Sequence, residues 1–403
     1  MTFAFPTRRA SLGLILSALA GCTVKPRKTS VAPPFAPQPL RRATRAWPSL
    51  DAMAQAMVDD HFTPGLSISV MRDGVLLYSR GFGRADLTTA AAIAPQSRFR
   101  VASITKQFTA AAILLLQEQG LLTVDDPLAR FLPDMRRAQD ITLREMLSHT
   151  SGMGDYLNGQ SPDILVEAQR RDYSSDELLG IVEATTPMSF QPGTRWFYSN
   201  SAFALLGLIV EQLTGMAYGA FCRQHLFQPA GLGHTSIDSV AAVPADACRG
   251  YRSVSRGAGT FGEVLPISPS FAGGAGAIRS TTEDLCRWHH ALMGGGILKP
   301  ASLVEMLTPA TFKDGLPAHQ RNGEEVQAYG FGQGLGMSGA HPYFVHGGRL
   351  NGFTSHLRSF PVDGVTVACL YNCDGSGTAD YLPTQRRLRN EAARLGLADR
   401  QAL

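Results

Sequence analysis

Three short stretches of this sequence bring together side chains able to do chemistry. In "ASITKQFT", Ser103 stands three residues before Lys106. Residues i and i+3 share a face at the start of a helix, so the hydroxyl and the amine can approach each other. A serine needs a base to become a nucleophile, and a lysine whose pKa is lowered by burial can serve as one. A helix N-terminus also offers backbone N–H groups to a developing oxyanion. Taken alone, the stretch also fits an N-cap serine followed by a solvated lysine. Lysine usage argues against that. The chain has five lysines against 32 arginines, and beyond residue 47 only Lys106, Lys299 and Lys313 occur. Arginine does not give up its proton in a protein, whereas lysine can.

The second stretch is "WFYSNSAFALLG", where Tyr198 and Asn200 precede a helical pattern. A tyrosine near cationic groups can share protons with a serine or a leaving group. An asparagine can hold a substrate carbonyl with one end of its amide and orient a lysine with the other. The bland alternative is that Asn200 caps the helix and Tyr198 packs. The third stretch is "FVHGGRLNGF", a strand that reaches His346 and then Gly347 and Gly348. Glycines there let a ligand approach the backbone, unless they mark only a turn at the strand end.

The elements that must position these residues are legible around them. "GLSISVMRDGVLLYSRGFG" alternates about Asp73-Gly74, a hairpin signal, and "KQFTAAAILLLQEQG" is helical and stops at Gly120. Further helical candidates are "TLREMLSHTSG", "SSDELLGIVEAT", "SAFALLGLIVEQLTG" and "TTEDLCRWHHALMGGG", two of them closed by a glycine. A second hairpin follows about Asp363-Gly364, and "TQRRLRNEAARLGL" reads as a final helix. Strands at both ends with helices between them predict an α+β fold, with an antiparallel sheet built from distant segments.

A chain of 403 residues can bury a sizeable core in one large or two small domains. The net charge of +4 misleads, because residues 1–47 carry eight Lys/Arg and no acid. Without them 29 basic face 33 acidic residues, a net of about −4, and nothing suggests nucleic-acid binding. Arg8 and Arg9 precede an apolar run too short to span a bilayer of roughly 30 Å, which predicts a signal peptide over residues 1–21. The paired arginines partly match a twin-arginine signal. "LAGC" resembles a bacterial lipobox with Cys22 as the lipidated residue, so the expected location is the cell envelope, membrane-anchored and periplasm-facing. Residues 22–47, rich in proline and basic side chains, read as an extended tether. Five cysteines remain, Cys222, Cys248, Cys286, Cys369 and Cys373, without metal-site spacing. An oxidising compartment would permit a disulfide among them.

Taken in order, the three stretches resemble the signature of the serine β-lactamase and penicillin-binding protein superfamily: S-x-x-K, then Y-x-N or S-x-N, then K-T-G or H-x-G on a strand. The likeness is to the branch of class C β-lactamases, DD-peptidases, D-aminopeptidases and β-lactamase-like esterases, and runs from about residue 50 to 375. Flanks such as "ITLREMLSHTSGM", "QPGTRWFYSNSAFALLGLIVEQLTG" and "AGGAGAIRSTTEDLCRWHHAL" agree. The resemblance implies a β-lactamase/transpeptidase-like fold over residues 48–395, an antiparallel sheet flanked by helices (about 48–105 and 275–395) plus a helical part (about 106–274). It makes Ser103 the acylated nucleophile, Lys106 its base, Tyr198 the proton-transfer partner and Asn200 the residue that positions substrate and lysine. His346 takes the place of the third-motif lysine. The oxyanion hole combines the N–H of Ser103 with that of Arg349, and Trp196 and Phe197 line the acyl pocket. No metal or organic cofactor is implied, and the partner is a small-molecule or peptide substrate.

One departure bears on substrate. The triplet His346-Gly347-Gly348 makes the third-motif cation conditional on pH and removes its hydroxyl. Weak or no β-lactamase activity is therefore expected of a hydrolase acting on esters or peptide-like amides, with Arg349 or Arg358 left to hold any carboxylate. A class C-like β-lactamase and a non-turnover envelope sensor are the alternatives. An α/β-hydrolase with "GMSGA" about Ser338 as its elbow is a third, and it lacks the last glycine.

Overall fold

The computed structural model describes residues 39–158, 166–168, 171–185, 188–240, 242–254, 259–265, 267–318, 326–375 and 380–400. The signal peptide and Cys22 lie outside the described residues. Eight strands form the main sheet: Arg41–Arg42 (β1), Gly65–Arg72 (β2), Val75–Gly83 (β3), Ala328–Tyr329 (β4), Gly334–Ser338 (β5), His341–Leu350 (β6), Phe353–Phe360 (β7) and Val365–Tyr371 (β8). Their order is β1-β3-β2-β8-β7-β6-β5-β4. Asp73 and Gly74 take φ of 46° and 78°, a two-residue turn whose twist suits the β2–β3 hairpin. The β2–β8 pairing, with Leu66 opposite Tyr371 and Arg72 opposite Val365, joins the two ends of the chain as expected.

The sheet is mixed rather than wholly antiparallel, because β1 runs parallel to β3. The cause lies in residues read as free tether. Ala43 N–H donates to Leu76 O at 2.9 Å and Arg45 N–H to Leu77 O at 2.7 Å. Arg42 forks onto Glu283 at 2.9 and 2.7 Å, and Arg45 reaches Asp399 at 2.7 Å. Basic side chains that suggest a solvated linker thus dock this stretch on the sheet edge.

Pro48–Asp59 (α1) packs on one face of the sheet, and Thr105–Glu118 (α2) lies behind the other. The middle of the chain contributes Leu143–Leu147 (α3), Ser175–Thr185 (α4) and Asn200–Thr214 (α5). Thr282–Met293 (α6) returns beside α2, and Tyr381–Ala398 (α7) joins α1. Leu50, Met57, Leu388 and Ala392 meet Ile68, Val70 and Val367 on the α1/α7 face. On the other face Phe108 stacks on Trp288 at 4.1 Å above Leu357 and Ala368. With both faces covered, β7 and β8 are buried at every residue. Helix α2 is buried almost all round, its apolar run Ala110–Leu114 in the core and Lys106, Gln107 and Thr109 buried with it. Gly215, with φ of 65°, ends α5 as expected.

Two possibilities that the sequence left open meet the structure here. Cys222, Cys248, Cys286, Cys369 and Cys373 are all buried free thiols, so no disulfide forms among the described residues. Ser338 ends β5 opposite His341 in an antiparallel pair, exposed, with no strand-to-helix elbow to activate it. The α/β-hydrolase reading has no structural support.

Candidate active site

The nucleophile candidate sits on a strained turn. Ala102–Ile104 forms one 3-10 turn leading into α2, and Ala102 has φ of 48°, left-handed for a residue with a side chain. Neighbours hold the turn there. Val101 N–H donates to Ile278 O at 3.0 Å, and Ser355 Oγ donates to Val101 O at 2.8 Å. Strand β6 presses against the same turn at Gly348, where a Cβ would stand 2.3 Å from Val101 O and 3.0 Å from the Ala102 methyl. Gly348 therefore makes room for the nucleophile turn. Gly347 is the exposed one, and a Cβ there meets nothing closer than Ser355 O at 3.6 Å.

Lys106, on the first turn of α2, is 0 % exposed. Its Nζ lies 2.8 Å from Asn200 Oδ1, 2.8 Å from Ala275 O and 3.2 Å from Ser103 Oγ. Burial pushes its pKa down to about 7, against the opposing pull of Asp155. The Tyr198 ring lies beneath the amine, 4.8 Å from Nζ to its centroid, and its hydroxyl hydrogen-bonds to Ser103. Burial holds the Tyr198 phenol protonated well above its ordinary range.

Asn200 does not cap α5. Ser199 does, accepting from Ala202 N–H at 3.2 Å, which leaves the Asn200 amide facing the site. Its oxygen takes the lysine, while Nδ2 faces the Asp155 carboxylate at 3.1 and 2.9 Å. The nitrogen end, expected to meet a substrate carbonyl, is committed to Asp155. That carboxylate fixes which way the amide points.

His346 lies on β6 with its ring buried. Its Nε2 is 2.9 Å from the Tyr329 hydroxyl and its Nδ1 2.5 Å from Gly347 O. The carbonyl requires a proton on Nδ1, so Nε2 accepts from the tyrosine. Burial and the nearby Lys106 push the imidazole pKa down to about 3. The third-motif cation is thus absent at neutral pH, not merely conditional.

Beyond Val345, which pairs with Gly334, β6 has lost its β5 neighbour and keeps only β7. Arg349 falls on that open stretch opposite Thr354, exposed. A cleft of about 350 Å³ runs along it, lined among others by Tyr198, Tyr329, His346, Gly347, Arg349 and Arg389. Arg358 is elsewhere, buried against the Tyr343 ring and bonded to Asn390. Trp196 packs near Tyr198 and Tyr329, while Phe197 is 44 % exposed.

Sequence reasoning missed Asp155, His149, Tyr329 and the Ala275 carbonyl. The first two lie in "SHTSGMGDY", where an acid directly after a glycine-rich turn was the available signal. A backbone carbonyl leaves no signal in the residue types.

As an arrangement, a hydroxyl between a buried amine and a half-buried phenol can be deprotonated, acylated and released. Comparisons with known proteins identify the family. A beta-lactamase family model matches residues 50–391. Penicillin-binding protein 4* of Bacillus subtilis is 29% identical over 338 residues, covering 80% of this chain and 71% of that protein. The D-aminopeptidase of Brucella ovis is 25% identical over 337 residues, covering 82% of this chain and 60% of that enzyme. The crystal structure of a D-stereospecific amidohydrolase from Streptomyces sp. superposes with a TM-score of 0.69 at 26% identity, over 84% of this chain and 98% of that one. Since the family match spans most of its length, the chain belongs to the beta-lactamase family and is a serine hydrolase.

Proposed function

We propose that the protein hydrolyses peptide-like amides or esters of D-amino acids through an acyl-enzyme on Ser103. The observation that carries the reading is the coordination of Lys106. A neutral amine has two N–H bonds and one lone pair. Two neighbours, Asn200 Oδ1 and Ala275 O, can only accept; the third, Ser103 Oγ, carries a proton to give. The lone pair of Lys106 then takes the hydroxyl proton as Oγ attacks the carbonyl carbon. The oxyanion is held by the N–H groups of Ser103 and Arg349. Tyr198, bonded to Ser103, passes a proton to the departing amine or alcohol. Water then attacks the ester on Ser103 by the same path in reverse and frees the acid.

The relatives named D-aminopeptidase and D-stereospecific amidohydrolase support amides of D-amino acids as the substrate class. The neutral His346 supports low turnover of penicillins and cephalosporins, whose carboxylate gains no fixed cation from it. The test is a side-by-side kcat/KM comparison of a D-alanine anilide, a short-chain aryl ester, a D-Ala-D-Ala peptide and a chromogenic cephalosporin. The reading expects the anilide or the ester to lead and the cephalosporin to trail. A leading cephalosporin would make the protein a β-lactamase. One equivalent of product with no steady state would make it a sensor.

The same proposal places the enzyme in the cell envelope as a lipoprotein, anchored at Cys22 after removal of residues 1–21. Arg41–Arg42 is docked on the sheet and so does not belong to a free tether. Metabolic labelling with a fatty-acid analogue, lost in Cys22→Ala, tests the anchor.

A further inference from the structure

The chemistry above gives no task to His149, which stands between the second and third motifs. It follows α3 and is 0 % exposed. Its φ of 62° is left-handed, a conformation that costs a non-glycine residue about 1–2 kcal/mol. Something local repays that strain. The His149 carbonyl oxygen accepts from Phe197 N–H at 2.9 Å, and its Nδ1 accepts from Ser199 N–H at 3.2 Å. The two bonds bracket Tyr198. The imidazole ring also lies against Tyr198, with centroids 4.3 Å apart, and against Tyr329 at 4.9 Å. Tyr329 in turn holds His346.

The turn after His149 continues the same register. Gly154 O accepts from Ser199 Oγ at 2.7 Å, Asp155 holds Asn200, and Tyr156 N–H donates to Ser201 Oγ at 2.9 Å. Because Nδ1 accepts, the ring carries its proton on Nε2, which has no hydrogen-bond partner among the described residues. Burial, with Lys106 and His346 nearby, keeps the ring neutral and so an acceptor.

We infer that His149 is a positioning residue for the reaction: its Nδ1 and its left-handed carbonyl fix the Phe197–Ser199 backbone so that the Tyr198 hydroxyl meets Ser103. The inference rests on the reading of Ser103 and Tyr198 as the reacting pair. A residue kept only for the fold makes the opposite forecast about substitutions. Glycine suits the left-handed backbone best but supplies no acceptor. Asparagine tolerates the same backbone and places Oδ1 near the position of Nδ1.

The experiment compares His149→Asn and His149→Gly with the wild type on D-alanine p-nitroanilide, reading kcat, KM and Tm. A misplacement of about 1 Å at a reacting group costs on the order of 100-fold. His149→Gly should therefore lose on the order of 100-fold in kcat with KM within about threefold, and His149→Asn should stay within about tenfold of wild type. The rate of fluorophosphonate labelling at Ser103, read well below the lowest Tm, scores any variant that melts early. Wild-type kcat in His149→Gly, or equal losses in both folded variants, overturns the inference while the site reading stands. A wild type that neither turns over nor labels at Ser103 overturns both.

Discussion

Lys106 Nζ and Ser103 Oγ stand 3.2 Å apart, with the amine wholly buried and its pKa near 7. The base must be neutral to act, so kcat/KM should fall about tenfold per pH unit below about 7 and level off above it. His346, lowered to about 3, should add no second limb between pH 4 and 7. A rate profile of the anilidase activity checks both points.

The same lysine makes a stability forecast. Its pKa is about 7 folded against an ordinary 10.5 for a solvated lysine, so between those values the unfolded chain holds a proton that the folded chain lacks. Stability therefore rises with pH across that window and is penalised below it. Lys106→Met should be most favourable relative to wild type near pH 7 and lose that advantage toward pH 10, by a few kcal/mol. Urea unfolding at three pH values measures it.

Asp155 both orients Asn200 and raises the Lys106 pKa. Asp155→Asn should lower kcat by about 10- to 100-fold and move the acid limb to lower pH. A limb moved upward would contradict the electrostatic assignment.

Adjacent glycines of the third motif should part company. Gly348→Ala forces a methyl onto the Val101 carbonyl and should cost about 1–3 kcal/mol and most of the activity. Gly347→Ala, with its nearest neighbour at 3.6 Å, should stay within about threefold of wild type. Thermal melts and initial rates on the two variants suffice.

The contrast between those glycines shows where the sequence stops speaking. Ser103 and Lys106 could be paired because i,i+3 spacing puts both on one face, whereas the roles of Tyr198, Asn200 and His346 came from the order of motifs that resembles the family signature. Gly347 and Gly348 looked alike until strand alternation sent one toward the nucleophile turn and the other toward solvent. Asp155 follows a glycine-rich turn, but its task depends on that loop meeting Asn200 across 45 residues. The docking of β1 depends on Arg42 finding Glu283 across 241 residues. The two hairpins and α5 were legible from turn chemistry and periodicity alone. The direction of β1 was not, because its two residues carry no pattern of their own.

The central claim is that Ser103 carries the acyl group and a neutral Lys106 activates it. The direct measurement is peptide-mapped mass spectrometry of enzyme quenched during turnover of a D-alanine aryl ester. The account predicts an alanyl adduct on the peptide containing Ser103 in the wild type, and none in Lys106→Arg, whose guanidinium keeps its proton. A folded, active enzyme with the adduct on another residue, or full acylation of Ser103 in Lys106→Arg, would contradict it.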